Sequence, residues 1–157
     1  MNFEYTVKEQ SEKQLVGISV QTDMSKGVQD CPALWGRFGS LLAQQTAKGS
    51  VFAPGESYGV CIMLDASRFI YWAAFAPQEG VALPEEFEAL TLPGGLYVAC
   101  KAPNLAALGD AYHSLYMTWP QTQSQYELNM QAPCFELYSA GWQLSDPLEI
   151  YAPIKQK

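Results

Sequence analysis

Positive charge is scarce in this chain. Its 157 residues hold nine Lys and Arg against sixteen Asp and Glu, for a net charge of −7 and a sequence pI near 4.6. The basic residues are scattered from Lys8 to Lys157, and no run of them makes a phosphate-binding face. Nucleic acid demands clustered Lys and Arg, so direct binding to it is excluded. Histidine is nearly absent, with His113 alone. The four cysteines (Cys31, Cys61, Cys100, Cys134) form no CxxC pair, so no zinc site or other metal centre is expected. No stretch approaches the roughly 20 apolar residues of a membrane helix. The opening "MNFEYTVKEQ" lacks the basic start and apolar core of a signal peptide, which points to the cytoplasm and to reduced, buried thiols. No cofactor motif is present.

Aromatic surface is what the chain has in excess. Nine Tyr, seven Phe and four Trp make up 13% of the residues. Tyrosine and tryptophan offer large flat faces with a polar handle, suited to cores and equally to ligand pockets. A hydrophobic fraction of 48% fits an ordinary globular protein, and the length fits one domain with a substantial core.

The pattern of elements reads as one unit repeated. "FEYTVKEQSEKQLVGISVQT" gives two β-prone segments around a polar turn at Ser11 to Lys13. A helix follows from about Asp30 to Ala47, with Asp30 as N-cap, Pro32 in the first turn, and Leu34, Trp35, Phe38, Leu41 and Leu42 on one face. "ESYGVCIML" and "RFIYWAAFA" are strands around a turn at Asp65 to Ser67. After a linker, Pro77 to Glu86, "FEALTLPGGLYVACKA" reads as a strand kinked at Pro93-Gly94-Gly95. A second helix is expected from about Asn104 to Trp119, stopped by Pro120, and "PCFELYSA" and "LEIYAPI" complete the set. The expectation is a single α+β domain over 1–157, a duplicated β-α-β-β unit with halves of roughly 1–77 and 86–157. Its antiparallel sheet carries two helices, with a cleft between the halves.

"PCFELY" places Glu136 inside an apolar strand. Alternation puts Cys134, Glu136 and Tyr138 on one face, Glu149 and Tyr151 together on the last strand, and Tyr71 opposite in direction to Trp72. Two readings follow. Glu136 and Glu149 either sit on the wet side of a half-exposed sheet, or face the cleft as acidic groups in an aromatic box. In the second case a cation is attracted both by ring faces and by the carboxylate.

"LVGISV", "LWGRF", "YGV", "YWAAF", "LPGGLYVA", "FELY" and "EIYAPI" occur in that order along nearly the whole chain. Together they resemble the GyrI-like family, the effector-binding domain attached to AraC- and MerR-type regulators and also found alone. The resemblance implies a duplicated β-α-β-β fold and a pocket between its halves for lipophilic, often cationic, compounds. It implies that Glu136 is the cation's partner, that Glu149 and Tyr151 contribute from the last strand, and that Tyr71, Tyr112 and Trp35 line the pocket. Tyr138 and Trp72 add ring faces. Most family members carry a DNA-binding helix-turn-helix, for which this chain shows no segment.

The expected function is therefore capture of aromatic or amphipathic organic cations by a cytoplasmic, monomeric binding module. Two other classes compete with it. Some lone members of the family hydrolyse small electrophiles with the pocket glutamate and tyrosines, and Glu136 raised by burial would serve as general base. A gyrase-inhibitor relative would instead modulate a partner protein through its surface.

Overall fold

The computed structural model describes residues 3–47, 56–77 and 86–157. The linker read at 77–86 lies, but for its end residues, outside them. The first half comprises β1 (Tyr5–Gln10), β2 (Lys13–Asp23), helix α1 (Gly27–Ala47), β3 (Ser57–Met63) and β4 (Arg68–Phe75). The second comprises β5 (Glu88–Leu92), β6 (Gly95–Ala102), helix α2 (Leu108–His113) within a longer helical segment, β7 (Tyr126–Leu128), β8 (Cys134–Tyr138) and β9 (Leu148–Gln156). This is the α+β fold expected from the sequence, with every strand pairing antiparallel.

The sheet order is β1-β6-β9-β8-β3-β4-β2-β5, with β7 added on β9. Reading β1, β2, β3 and β4 as counterparts of β5, β6, β8 and β9, the order is its own mirror about the β3–β8 junction. The outermost strands are exchanged: β1 pairs with β6 of the other half, and β5 pairs with β2. The kinked strand read over Phe87 to Ala102 is thus two strands at different places in the sheet. Two residues join β1 to β2, and two join β5 to β6, although each pair sits at opposite ends of the order. The three Cα–Cα steps across such a link span at most about 11 Å, so the sheet curls until its ends meet. The two crossovers touch at Gly94, where a Cβ would stand 2.8 Å from the Glu12 backbone nitrogen and 3.1 Å from the Gln10 carbonyl oxygen. Only glycine leaves room for that crossing.

The inner face of the curl holds Leu15, Tyr58, Val60, Trp72, Tyr97, Phe135 and Tyr151 in one buried cluster drawn from both halves. The outer face is covered by the helices. Helix α1 packs Leu34, Phe38 and Leu41 on Val16, Ile18, Phe69, Ala73 and Phe75. The second helical segment packs Ala111, Leu115 and Trp119 on Val98, Cys100, Leu148 and Ile150.

Both helices depart from the sequence reading at their ends. Helix α1 begins at Gly27, three residues before Asp30. Asp23 nucleates it by accepting hydrogen bonds from the Ser25 and Lys26 backbone N–H groups, while Asp30 accepts from the Thr22 hydroxyl at 2.6 Å. The second helix is not uniform. Asn104 caps a 3-10 turn, Leu105–Ala107, by accepting from the Ala107 N–H at 3.0 Å. Helix α2 follows, then a π-helical turn at Ser114–Thr118 and a 3-10 turn at Trp119–Thr122 that runs past Pro120. Proline at the start of that last turn costs no intrahelical hydrogen bond, so it does not stop the chain there.

Candidate functional site

The β3–β8 junction, where the halves meet, places Gly59 opposite Glu136. Alternation directs Cys134, Glu136 and Tyr138 of β8 to the helix-covered face, together with Cys61 of β3 and Tyr71 of β4, which are also register partners. Glu136 is 5% exposed, and among the described residues the only other buried polar one is Thr22.

Three phenols surround its carboxyl group. Tyr71 donates to Oε1 at 3.0 Å, Tyr138 donates to the same oxygen, and Tyr112 of helix α2 donates to Oε2 at 2.5 Å. Trp35 of α1 donates its indole N–H to the Tyr71 hydroxyl at 3.0 Å, so both helices are tied to the carboxylate. The Tyr138 ring meets Trp35 edge to face at 5.4 Å and Trp142 at 4.8 Å. Tyr112 stacks on Tyr116 with centroids 6.3 Å apart.

Among the described residues no basic group pairs with this carboxylate. The ion pairs among the described residues are Lys8–Glu149, Arg68–Asp65 and Lys155–Glu127, all at the surface and none reaching Glu136. Desolvation by burial pushes the Glu136 pKa above the usual carboxylate value of 4.5, and the hydrogen bonds from Tyr112, Tyr138 and Tyr71 partly offset it. The same burial, with the glutamate charge beside them, raises the Tyr71, Tyr112 and Tyr138 hydroxyls, so all three remain donors.

Of the residues singled out in the sequence, the structure brings together Glu136, Tyr71, Tyr112, Tyr138 and Trp35. It separates Glu149, Tyr151 and Trp72 from them. In the β8–β9 register Phe135 pairs with Tyr151 and Leu137 with Glu149, so both residues of β9 share the inner face with Phe135 and Leu137. Tyr151 stacks on Phe135 at 4.6 Å with rings nearly parallel, and Trp72 is buried in the same inner cluster. Glu149 is partly exposed and paired with Lys8 at 3.7 Å. Reading two acidic strands as facing one cleft failed because the pairing of β8 with β9 puts their glutamates on opposite faces.

Two features were not recognised in the sequence. Gly59 makes the site possible, because a Cβ there would stand 2.2 Å from the Tyr71 hydroxyl and 2.8 Å from Glu136 Oε1. Its signal was a glycine within a strand, which marks a close approach. The second is a gathering of sulfur next to the carboxylate. Cys61 and Cys134 are direct cross-strand partners, Cys61 Sγ lies 3.9 Å from Met63 Sδ, and all described cysteines are free thiols. The Cys134 thiol is held below its ordinary range, chiefly by hydrogen bonding from Cys61, whose own thiol is pushed up by that bond and by burial. Among the described residues no group of three or more His, Cys, Asp or Glu is placed to hold a metal ion, and no helix is long and apolar enough to cross a membrane.

A curled sheet of two repeated halves, with a buried carboxylate and its phenols at their junction, defines a small-molecule-binding domain. The chain belongs to the GyrI-like small-molecule-binding domain family, whose model matches residues 3–155. The fold is similar to that of SAV2435 bound to tetraphenylphosphonium, with TM-score 0.74, 20% identity, and 97% of this chain and 94% of that one covered. It is similar as well to a putative transcription regulation protein from Staphylococcus aureus MU50, with TM-score 0.72, 23% identity, and coverage of 97% and 98%. The C-terminal domain of EcmrR aligns over 100% of both chains at 15% identity, with TM-score 0.70. No curated protein sequence matches the chain significantly.

Proposed function

We propose that this domain captures lipophilic, aromatic organic cations at Glu136. The observation that carries the reading is a carboxylate 5% exposed, ringed by three phenols and, among the described residues, paired with no basic side chain. A buried carboxylate without a counter-ion is costly, and an incoming cation supplies what the fold withholds. Two hydroxyls already fill Oε1 and a third occupies Oε2, so an N–H donor finds little acceptor capacity left. Charge and ring faces, not hydrogen bonds, then select the ligand, which favours delocalised or alkylated cations. Trp35, Tyr71, Tyr112 and Tyr138 supply the rings, each cation–π contact contributing roughly 0.5–2 kcal/mol. That SAV2435 is bound to tetraphenylphosphonium, a cation of this kind, supports the assignment.

The test compares 10-methylacridinium with neutral acridine by calorimetric titration of the wild type and Glu136→Gln at neutral pH. The substitution is expected to weaken the cation by about 10- to 100-fold, or roughly 1.4–2.8 kcal/mol, and to leave acridine nearly unchanged. Equal losses for both compounds would remove the charge from the explanation.

A further inference from the structure

We propose that Cys61 and Cys134, with Met63 beside them, form a binding site for a soft monovalent cation of the copper(I) class. The β3–β8 register sets the two cysteines directly opposite one another on the helix-covered face, two residues along each strand from Gly59 and Glu136. Met63 follows Cys61 by two residues and so shares its face. The 3.9 Å between Cys61 Sγ and Met63 Sδ matches the spacing a shared ion needs. At a metal–sulfur distance of about 2.3 Å, sulfurs in a trigonal plane stand about 4 Å apart.

The donor set chooses the ion. Two thiols and a thioether are soft ligands, which select copper(I) over the hard divalent cations. Zinc would want four ligands, and the described residues offer no group of three His, Cys, Asp or Glu. A monovalent ion content with two or three sulfurs fits. Cys61, Cys134 and Met63 are all partly accessible, so an ion can reach them. On binding, the two thiols release their protons to solvent and no electrons move. The site does not rest on the organic-cation reading, since its atoms are sulfurs and not the Glu136 carboxylate.

Reduced protein is titrated anaerobically with copper(I) held as its bicinchoninate complex, and bleaching of the chelator's colour reports transfer. The expected result is one equivalent bound, with affinity reduced by about tenfold or more in Cys61→Ser and in Cys134→Ser. Met63→Leu should weaken it less, and Cys100→Ser, which alters a core cysteine, should leave it unchanged. A second measurement needs no variants. Copper(I) bound to wild type should shield Cys61 and Cys134 from iodoacetamide, located by peptide mass spectrometry, while Cys31 on α1 stays reactive. No transfer to wild type, transfer that survives both serine substitutions, or shielding of Cys31 in place of the pair would each overturn the site.

Discussion

Glu136 governs how the free domain responds to acid. Its folded pKa lies above the 4.5 of an ordinary carboxylate because burial disfavours the charge. The folded state therefore takes up its proton before the unfolded state does as pH falls. The penalty for the buried charge is full above the raised folded value, eases as pH drops through it, and has gone once pH falls below the unfolded value near 4.5. Each unit of elevation is worth about 1.4 kcal/mol. Glu136→Gln keeps the shape and lets the phenols reorient as donors or acceptors, but carries no charge. The variant should be more stable than wild type at neutral pH, and the gap should close on acidification across that window. Thermal unfolding of both proteins over a pH series measures it, and a gap that stays constant would show that the carboxylate is not the titrating group. Cation binding should weaken over the same window, because the protonated acid has no charge to offer. This residue was legible in the sequence because a glutamate between Phe135 and Leu137 contradicts its surroundings. Its tyrosines were legible only in part: strand alternation gives Tyr138 beside it, but nothing local brings Tyr71 and Tyr112 across from β4 and α2.

At the scale of elements, β3 carries the fit of the site through what it omits. Gly59 lies between Glu136 on β8 and Ala73 on β4, and any side chain there would enter the Tyr71–Glu136 hydrogen bond. Gly59→Ala should cost about 1–3 kcal/mol by overpacking. Removing the nearest clashing atom with Tyr71→Phe should return part of that loss, so the double variant should unfold at higher denaturant than the sum of the single losses gives. Simple additivity in a urea melt would mean the glycine acts elsewhere. Strand and helix identity came readily from period, since Tyr71 and Trp72 alternate and Leu34, Phe38 and Leu41 repeat along one helix face. Helix ends did not. Asp30 and Pro32 imitate a start that Asp23 in fact supplies, and the π-helical turn at Ser114–Thr118 has no signature in the apolar spacing. Face assignment between strands was the larger loss. Glu149 and Tyr151 look like companions of Glu136 until the pairing of Phe135 with Tyr151 is known.

At the scale of the molecule, the exchange of β1 and β5 ties the sheet of each half to the other. Local pattern revealed the repeat but not this exchange, because strand order depends on contacts between residues as distant as Tyr5 and Cys100. Neither half alone completes its sheet, and the inner cluster takes Leu15, Tyr58 and Trp72 from one half and Tyr97, Phe135 and Tyr151 from the other. Tyr5 of β1 also hydrogen-bonds Ser114 in the second half's helical segment. Urea unfolding should therefore be a single transition, with coincident midpoints from far-UV circular dichroism and from tryptophan fluorescence, which samples both halves through Trp35, Trp72, Trp119 and Trp142. The site divides in the same way, with Trp35 and Tyr71 from the first half and Tyr112, Glu136 and Tyr138 from the second. A bound cation should accordingly stabilise the whole molecule and move that one transition, by about 2.7 kcal/mol at a hundred times its dissociation constant. Two midpoints, with the ligand moving only one, would mean that the halves fold separately and that the exchanged strands do not couple them.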